Sequence, residues 1–312
     1  MVFLGVDVGG TRVKHLLVDE AFRHLGFGEF ETPSGLPLGE AIALIESKVT
    51  KACENTGCRP SAVCIAVPGI VTPGTSHVVE CPNLPGWEDF DLKDYLRELA
   101  GIPLWVENDA NAGAFGEGFC GAAKGLDSFV YIALGTGVGG GIFLNGKLHR
   151  GVFGRAGEVG HVPISDSDVP CGCGGTGHLE CFAGAIGILR QAEKEFSGEF
   201  RGDTEELSRL AAGGDERALR VFRDAGSYLG KGIAAVVNVI DVDTVVLAGG
   251  VAGALPFMKE SIYEQIGKHT FGIPPERVRV IPGVNGHRAG AIGAAAIALH
   301  EYKRRLNKGG EK

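Results

Sequence analysis

The sequence lacks several features that would settle its class at once. It has no run of about 18 or more apolar residues, so no membrane span is expected. Met1 leads straight into "VFLGVDVGG" with neither a charged lead nor a long apolar core, so no secretory signal is expected. Positive charge is in deficit. The formal net charge of -8 argues against a nucleic-acid-binding surface, though not against a local cationic pocket for phosphate. Cysteine is sparse: 8 in 312 residues is far below a disulfide scaffold. Without an export signal the expected compartment is the reducing cytoplasm, where clustered cysteines are more often ligands than bridges. Cys53, Cys58, Cys64, Cys81 and Cys120 are scattered and read as packing residues or inert thiols. No Pro- or Ser-rich linker divides the chain, although its length suits about two domains. The expected join is a hinge, with a cleft between the domains.

Glycine is what the chain has in excess: 51 residues, roughly twice the usual share, much of it in Gly-Gly clusters. The first 35 residues read as a β-meander, "VFLGVDV", "RVKHLLVD" and "HLGFGEFETP". "LPLGEAIALIESKVTKACENTG" carries apolar residues at helical spacing. "AVCIAVPGIV" and "IPLWVEN" read as buried strands, and a helix opens at "DANAGAFGEG" with Asn108 or Asp109 as its cap. "FVYIALGTGVGGGIFLNGKL" then repeats the pattern of the first hairpin, a weak internal repeat with one copy per domain. From about Ala183 the pattern is mostly helical: "IGILRQAEKEF", "TEELSRLAAGG", "DERALRVFRDAGSYLGKGIAAVVNVI" and "AGAIGAAAIALHEYKRRL". "TVVLAGGV" is one more buried strand, and "NKGGEK" reads as a frayed tail.

Three Gly-rich turns follow strands: Asp7–Thr11, Gly135–Gly141 and Ala248–Val251. Glycine lets backbone N–H groups point at phosphate oxygens. The first two turns lead into strands, not helices, so they match neither a P-loop nor a dinucleotide fingerprint. Asp7 ends the first strand beside the first turn. A carboxylate there repels phosphate unless a cation lies between them, and Mg²⁺ with its water shell suits that place. Thr11 and Thr136 can donate hydroxyl hydrogen bonds to phosphate. Arg12 and Lys14 share a strand face, and Lys14 is taken as a nucleotide-side cation. "WVENDANAGAFGEG" puts Asn108 and Asp109 where a strand meets a helix, the usual place for ligands in α/β folds. A carboxylate there can take the proton of an attacking hydroxyl in phosphoryl transfer.

The ordered set "DVGGT", "PGIV", "CPNLPGW", "VENDANAGAFGE", "LGTGVGGGI", "AGEVGH", "CGCGGTGHLE" and "AGGV" resembles the ROK (repressor, open reading frame, kinase) family of bacterial sugar kinases, its glucokinases most of all. The resemblance implies an α/β, two-domain, actin/hexokinase/Hsp70-like (ribonuclease H-like) fold. The last helix then returns to the first domain, giving residues 1–118 plus about 295–312 as the smaller domain and 119–294 as the larger. The resemblance also implies Asp109 as general base and Asn83, Asn108, Glu158, His161 and Glu180 as sugar contacts. It places Gly9, Gly10, Thr11, Thr136, Gly137, Gly249 and Gly250 around ATP. The implied activity is transfer of phosphate from ATP to the 6-hydroxyl of glucose. N-acetylglucosamine, N-acetylmannosamine, fructose or allose are alternatives, as is a non-catalytic sugar sensor. A homodimer or homotetramer is expected. Repressor relatives carry an extra N-terminal helix-turn-helix; this chain begins at the first kinase strand, so no nucleic-acid partner is expected.

The family also binds a structural zinc through one His and three Cys. His161, Cys171 and Cys173 match, while His178 stands at the third cysteine position. Cys₂His₂ is an accepted zinc set. Cys181 is the rival fourth ligand, and absence of zinc is the other alternative. A glycine-rich stretch buries too little apolar surface to be rigid by itself, and a metal clamp would replace the missing core. Glu158 and Glu180 would then be held as acceptors for vicinal sugar hydroxyls.

Overall fold

Strands β1 (Val2–Val8), β2 (Arg12–Asp19) and β3 (His24–Glu31) form the N-terminal meander in a computed structural model that describes residues 1–309. β4 (Ala62–Val67) and β8 (Leu104–Asn108) extend it in parallel to a five-stranded sheet of order β3-β2-β1-β4-β8. β1 and β4 read as continuous apolar runs because both faces of the sheet are covered. On one side lies α1 (Leu38–Asn55), whose Ile42, Ile45 and Val49 join Leu4, Val6 and Ile65 in a single core. On the other lies the Ala-rich α8 (Ala289–Gly309). It approaches so closely that a Cβ on Gly5 would collide with the backbone at Ala291 and Ala295. Beside α8 runs α2 (Asp109–Cys120). The short strands β5 (Ile70–Val71), β6 (His77–Glu80) and β7 (Glu88–Asp91) make a separate small sheet.

A second compact unit repeats this plan. β9 (Phe129–Leu134), β10 (Val138–Leu144) and β11 (Lys147–His149) form its meander, and β12 (Thr244–Ala248) and β13 (Arg279–Pro282) extend it in parallel. The order β11-β10-β9-β12-β13 is that of the first sheet, element for element, so the weak internal repeat is a repeat of topology. Its helices are α3 (Glu180–Ala183), α4 (Ala185–Glu195), α5 (Thr204–Ala212), α6 (Glu216–Ile240) and α7 (Leu255–His269). Asp215 caps α6, accepting the Arg217 and Ala218 N–H groups.

Contacts divide the chain into residues 1–125, 148–156 and 288–312 in one unit, and 126–147 and 157–287 in the other. The short segment 148–156 therefore packs with the first unit, a detour not foreseen in the sequence. "AVCIAVPGIV" is not one strand: Pro68 and Gly69 break it into β4 and β5 because Pro supplies no N–H to a ladder. In the expected tail, Asn307–Gly309 continues α8, and Gly310–Lys312 lie outside the described residues. Among the described residues no helix is long and apolar enough to cross a membrane.

Candidate functional site

In the first unit the candidate groups gather at the C-terminal ends of β1 and β8. The β1–β2 turn is closed by Gly9 N–H donating to Arg12 O at 2.9 Å, and Thr32 Oγ1 donates to Gly9 O at 2.6 Å. Gly10 and Thr11 are exposed at its tip, and Gly10 lies against the main chain of Asn83, itself exposed. Asp7 is buried beneath this turn beside Gly290 in the first turn of α8, where a Cβ would come within 2.5 Å of its Cγ. Lys14 Nζ stands 3.8 Å from Asp7 Oδ2. Burial pushes the Asp7 carboxyl up from its ordinary range, and Lys14 pulls it part of the way back. Arg12 instead turns to Glu29 on β3, at 2.9 Å.

Asn108 is the N-cap of α2: its Oδ1 accepts Asn111 N–H at 2.9 Å. Its Nδ2 donates to Gly69 O at 3.1 Å and to Asp109 Oδ1 at 3.2 Å. Asp109, the first helical residue, also accepts Ala110 N–H at 2.8 Å. Capping and presentation of the carboxylate are thus one arrangement. Both side-chain hydrogens of Asn108 are committed, so what it can still offer a ligand is a lone pair on Oδ1. Behind Asp109, Glu107 is buried and holds Arg150 of the segment 148–156. Neither residue was foreseen as part of the site. A Glu inside an otherwise apolar strand was the available signal, because a buried carboxylate requires a partner.

In the second unit the turn after β9 and the turn after β12 lie together. Gly249 (φ +89°) packs on the backbone of Leu134. Thr136 is exposed, and the first amides of α4 engage the carbonyls of the β9 turn: Ala185 N donates to Gly135 O at 2.9 Å and Ile186 N to Thr136 O at 3.3 Å. Gly250 starts the 3₁₀ turn Gly250–Ala254 that leads into α7. Gly137 is so near Glu180 that any Cβ would strike Oε2.

Glu158 and Glu180 flank a cluster of metal-type donors that includes His161. His161, Cys171, Cys173 and His178 each offer one ligand atom, and these lie within 4.8 Å of one another. His161 Nδ1 is 3.7 Å from Cys171 Sγ, and His178 Nδ1 is 3.3 Å from Cys173 Sγ. The N···S edge of a zinc tetrahedron, from bond lengths of about 2.05 and 2.3 Å, is about 3.6 Å, so the donor set fits that ion. Cys181 lies outside the group: its Sγ faces Pro170 O at 3.5 Å and its side chain packs with Phe182. Glu180 Oε1 is 2.8 Å from Cys171 Sγ and 3.8 Å from His161 Nδ1. The other ring nitrogen, His161 Nε2, is 4.0 Å from Glu158 Oε2. Burial, reinforced by Glu180, pushes the Cys171 thiol well up.

The description "ROK family" matches residues 3–301. A glucokinase of Halalkalibacterium halodurans is 32% identical over 99% of this chain and 98% of its own. A xylose repressor of Bacillus subtilis is 28% identical over 96% of this chain and 77% of its own. The crystal structure of a ROK family glucokinase from Streptomyces griseus, in complex with glucose and AMPPNP, superposes with a TM-score of 0.83. It is 32% identical and covers 96% of this chain and 100% of that one.

Proposed function

The chain belongs to the ROK family, and from that premise we propose that it transfers the γ-phosphate of ATP to the 6-hydroxyl of a hexose, glucose first. The observation that carries this reading is the presentation of Asp109: a carboxylate at the mouth of a parallel strand, oriented by Ala110 N–H and the Asn108 amide. Its carboxylate takes the 6-OH proton as the oxygen attacks phosphorus. Sugar binding is assigned to Asn83, Asn108, Glu158, His161 and Glu180. Nucleotide binding is assigned to Gly9, Gly10, Thr11, Lys14, Thr136, Gly137, Gly249 and Gly250, whose turns bring main-chain N–H groups to the phosphates.

Asp7 is the acidic group for Mg²⁺, which when bound supplies charge neutralisation for the phosphates. Its burial and the Lys14 cation 3.8 Å away support this reading, because both reduce the repulsion between a carboxylate and a nearby anion. His161, Cys171, Cys173 and His178 would hold Zn²⁺, which supplies rigidity, not chemistry. Nδ1 of His161 faces the thiols, so Nε2 is left to carry the proton, on the side of Glu158. The glutamates then present fixed acceptors to a polyol.

Coupled ADP release across a panel of hexoses with ATP and Mg²⁺ tests the reading. Glucose is expected to give the highest kcat/KM. The similarity to a xylose repressor over 96% of this chain supports a second reading, a sugar-responsive regulator. Sugar binding by calorimetry without turnover of any hexose would favour it.

A further inference from the structure

Glu107 is 4% exposed and stands two residues before Asp109. A carboxylate buried this deeply needs each oxygen answered. Oε1 accepts Asn108 N–H at 3.1 Å and Asn111 Nδ2 at 3.0 Å. Oε2 accepts Arg150 Nε and Nη2, both at 2.6 Å. Asn108 and Asn111 are the two residues joined by the capping bond of α2. Glu107 therefore grips both ends of the single turn that contains Asp109, and Arg150 grips Glu107 from 43 positions along the chain.

Arg150 is itself well anchored. Its carbonyl accepts Ala156 N–H at 3.2 Å, closing the segment on itself, and Arg155 of the same segment reaches Glu80 at 3.3 Å. An exposed pair such as Arg155–Glu80 contributes little. The pair at Glu107 differs because one partner is buried, and removing the other leaves an uncompensated charge.

We infer that Arg150 and Glu107 are a positioning pair for Asp109. Arg150 holds Oε2 of Glu107, which leaves Oε1 to accept from both Asn108 N–H and the Asn111 amide. Among the described residues the remaining atom of that amide, Asn111 Oδ1, is buried without a partner, so the contact with Glu107 is what orients the Asn111 side chain. Without Arg150 the uncompensated buried carboxylate turns away, and the capping turn loses its anchor. The inference rests on Asp109 being the base, but its structural half is measurable without activity.

The experiment compares wild type, Arg150→Met and the double variant Glu107→Gln/Arg150→Met. Hydrogen exchange is read over residues 105–112, with β1 as an internal reference. Arg150→Met is expected to speed exchange in 105–112 by about 10-fold or more and leave β1 unchanged. The double variant, whose neutral amide oxygen still accepts from Asn108 N–H, should return to within about 3-fold of wild type. In the hexose assay Arg150→Met should lower kcat by about 100-fold, the scale of a misplaced catalytic group, with a smaller rise in sugar KM because Asn108 shares the turn. The double variant should recover most of that loss. Unchanged exchange over 105–112 in Arg150→Met, or a double variant no better than the single one, would overturn the pair. If wild type turns over no hexose, the base assignment falls, and exchange still decides the pair. Should Arg150→Met not fold, Arg150→Lys keeps the charge without the fork and should show an intermediate rise in exchange; wild-type exchange there would count against the inference.

Discussion

Gly137 touches Glu180: the turn assigned to the nucleotide leaves no room for a side chain because a carboxylate assigned to the sugar fills the space. Gly137 lies outside the left-handed region, so alanine fits its backbone and acts only through this contact. Gly137→Ala should push Glu180 aside and raise the sugar KM by about 10-fold, the scale of one lost charge-assisted hydrogen bond. Steady-state kinetics in sugar at saturating ATP checks this. A change confined to the ATP KM would mean that Glu180 does not face the sugar.

Asp109→Asn keeps the hydrogen bond from Ala110 N–H and removes the base. We expect kcat to fall by about 1,000-fold, within the usual range for a general base. Glucose binding by calorimetry should stay within a few-fold of wild type. Near-normal turnover would dismiss Asp109 as the proton acceptor.

The cluster at His161, Cys171, Cys173 and His178 predicts about one zinc per chain by elemental analysis. His178→Ala should lose most of the metal and lower the thermal midpoint by about 5 °C or more. Cys181→Ala should keep full occupancy, because its sulfur faces Pro170 O and not the cluster. Full zinc in His178→Ala together with depletion in Cys181→Ala would reverse the assignment.

The Asp7–Lys14 pair makes a pH-dependent prediction with a definite sign. The Asp7 pKa is raised in the folded state, so its contribution to stability is present below the unfolded value and lost as pH rises through the folded one. Ionised Asp7 is thus a burden near neutrality that Lys14 partly relieves. Lys14→Met should fall furthest behind wild type at about pH 8, and the gap should narrow as pH falls toward about 4. Denaturant titrations at several pH values check this; a gap that widens in acid would contradict it.

Local patterns were readable wherever one element carried them. The β1–β2 and β9–β10 hairpins, α6 and α8 follow from periodicity and turn glycines, and the four donors near His161 were implied by the family resemblance within one stretch of 18 residues. What could not be read was pairing at a distance. Glu107 and Arg150 lie 43 positions apart, and nothing around Arg150 signals that segment 148–156 rejoins the first unit. Asn108 was legible as a cap and as a ligand-facing residue, but the commitment of both its amide hydrogens depends on Gly69, beyond the break after β4.

The Ala-rich face of α8 lies on β1 and α2, so the sheet of the first unit waits for a helix synthesised after every strand of the second. Residues 126–147 and 157–287 have all emerged by then. The half of the nascent chain begun second is therefore able to complete its core first. Until α8 arrives, one face of β1 lacks the cover it has in the finished fold.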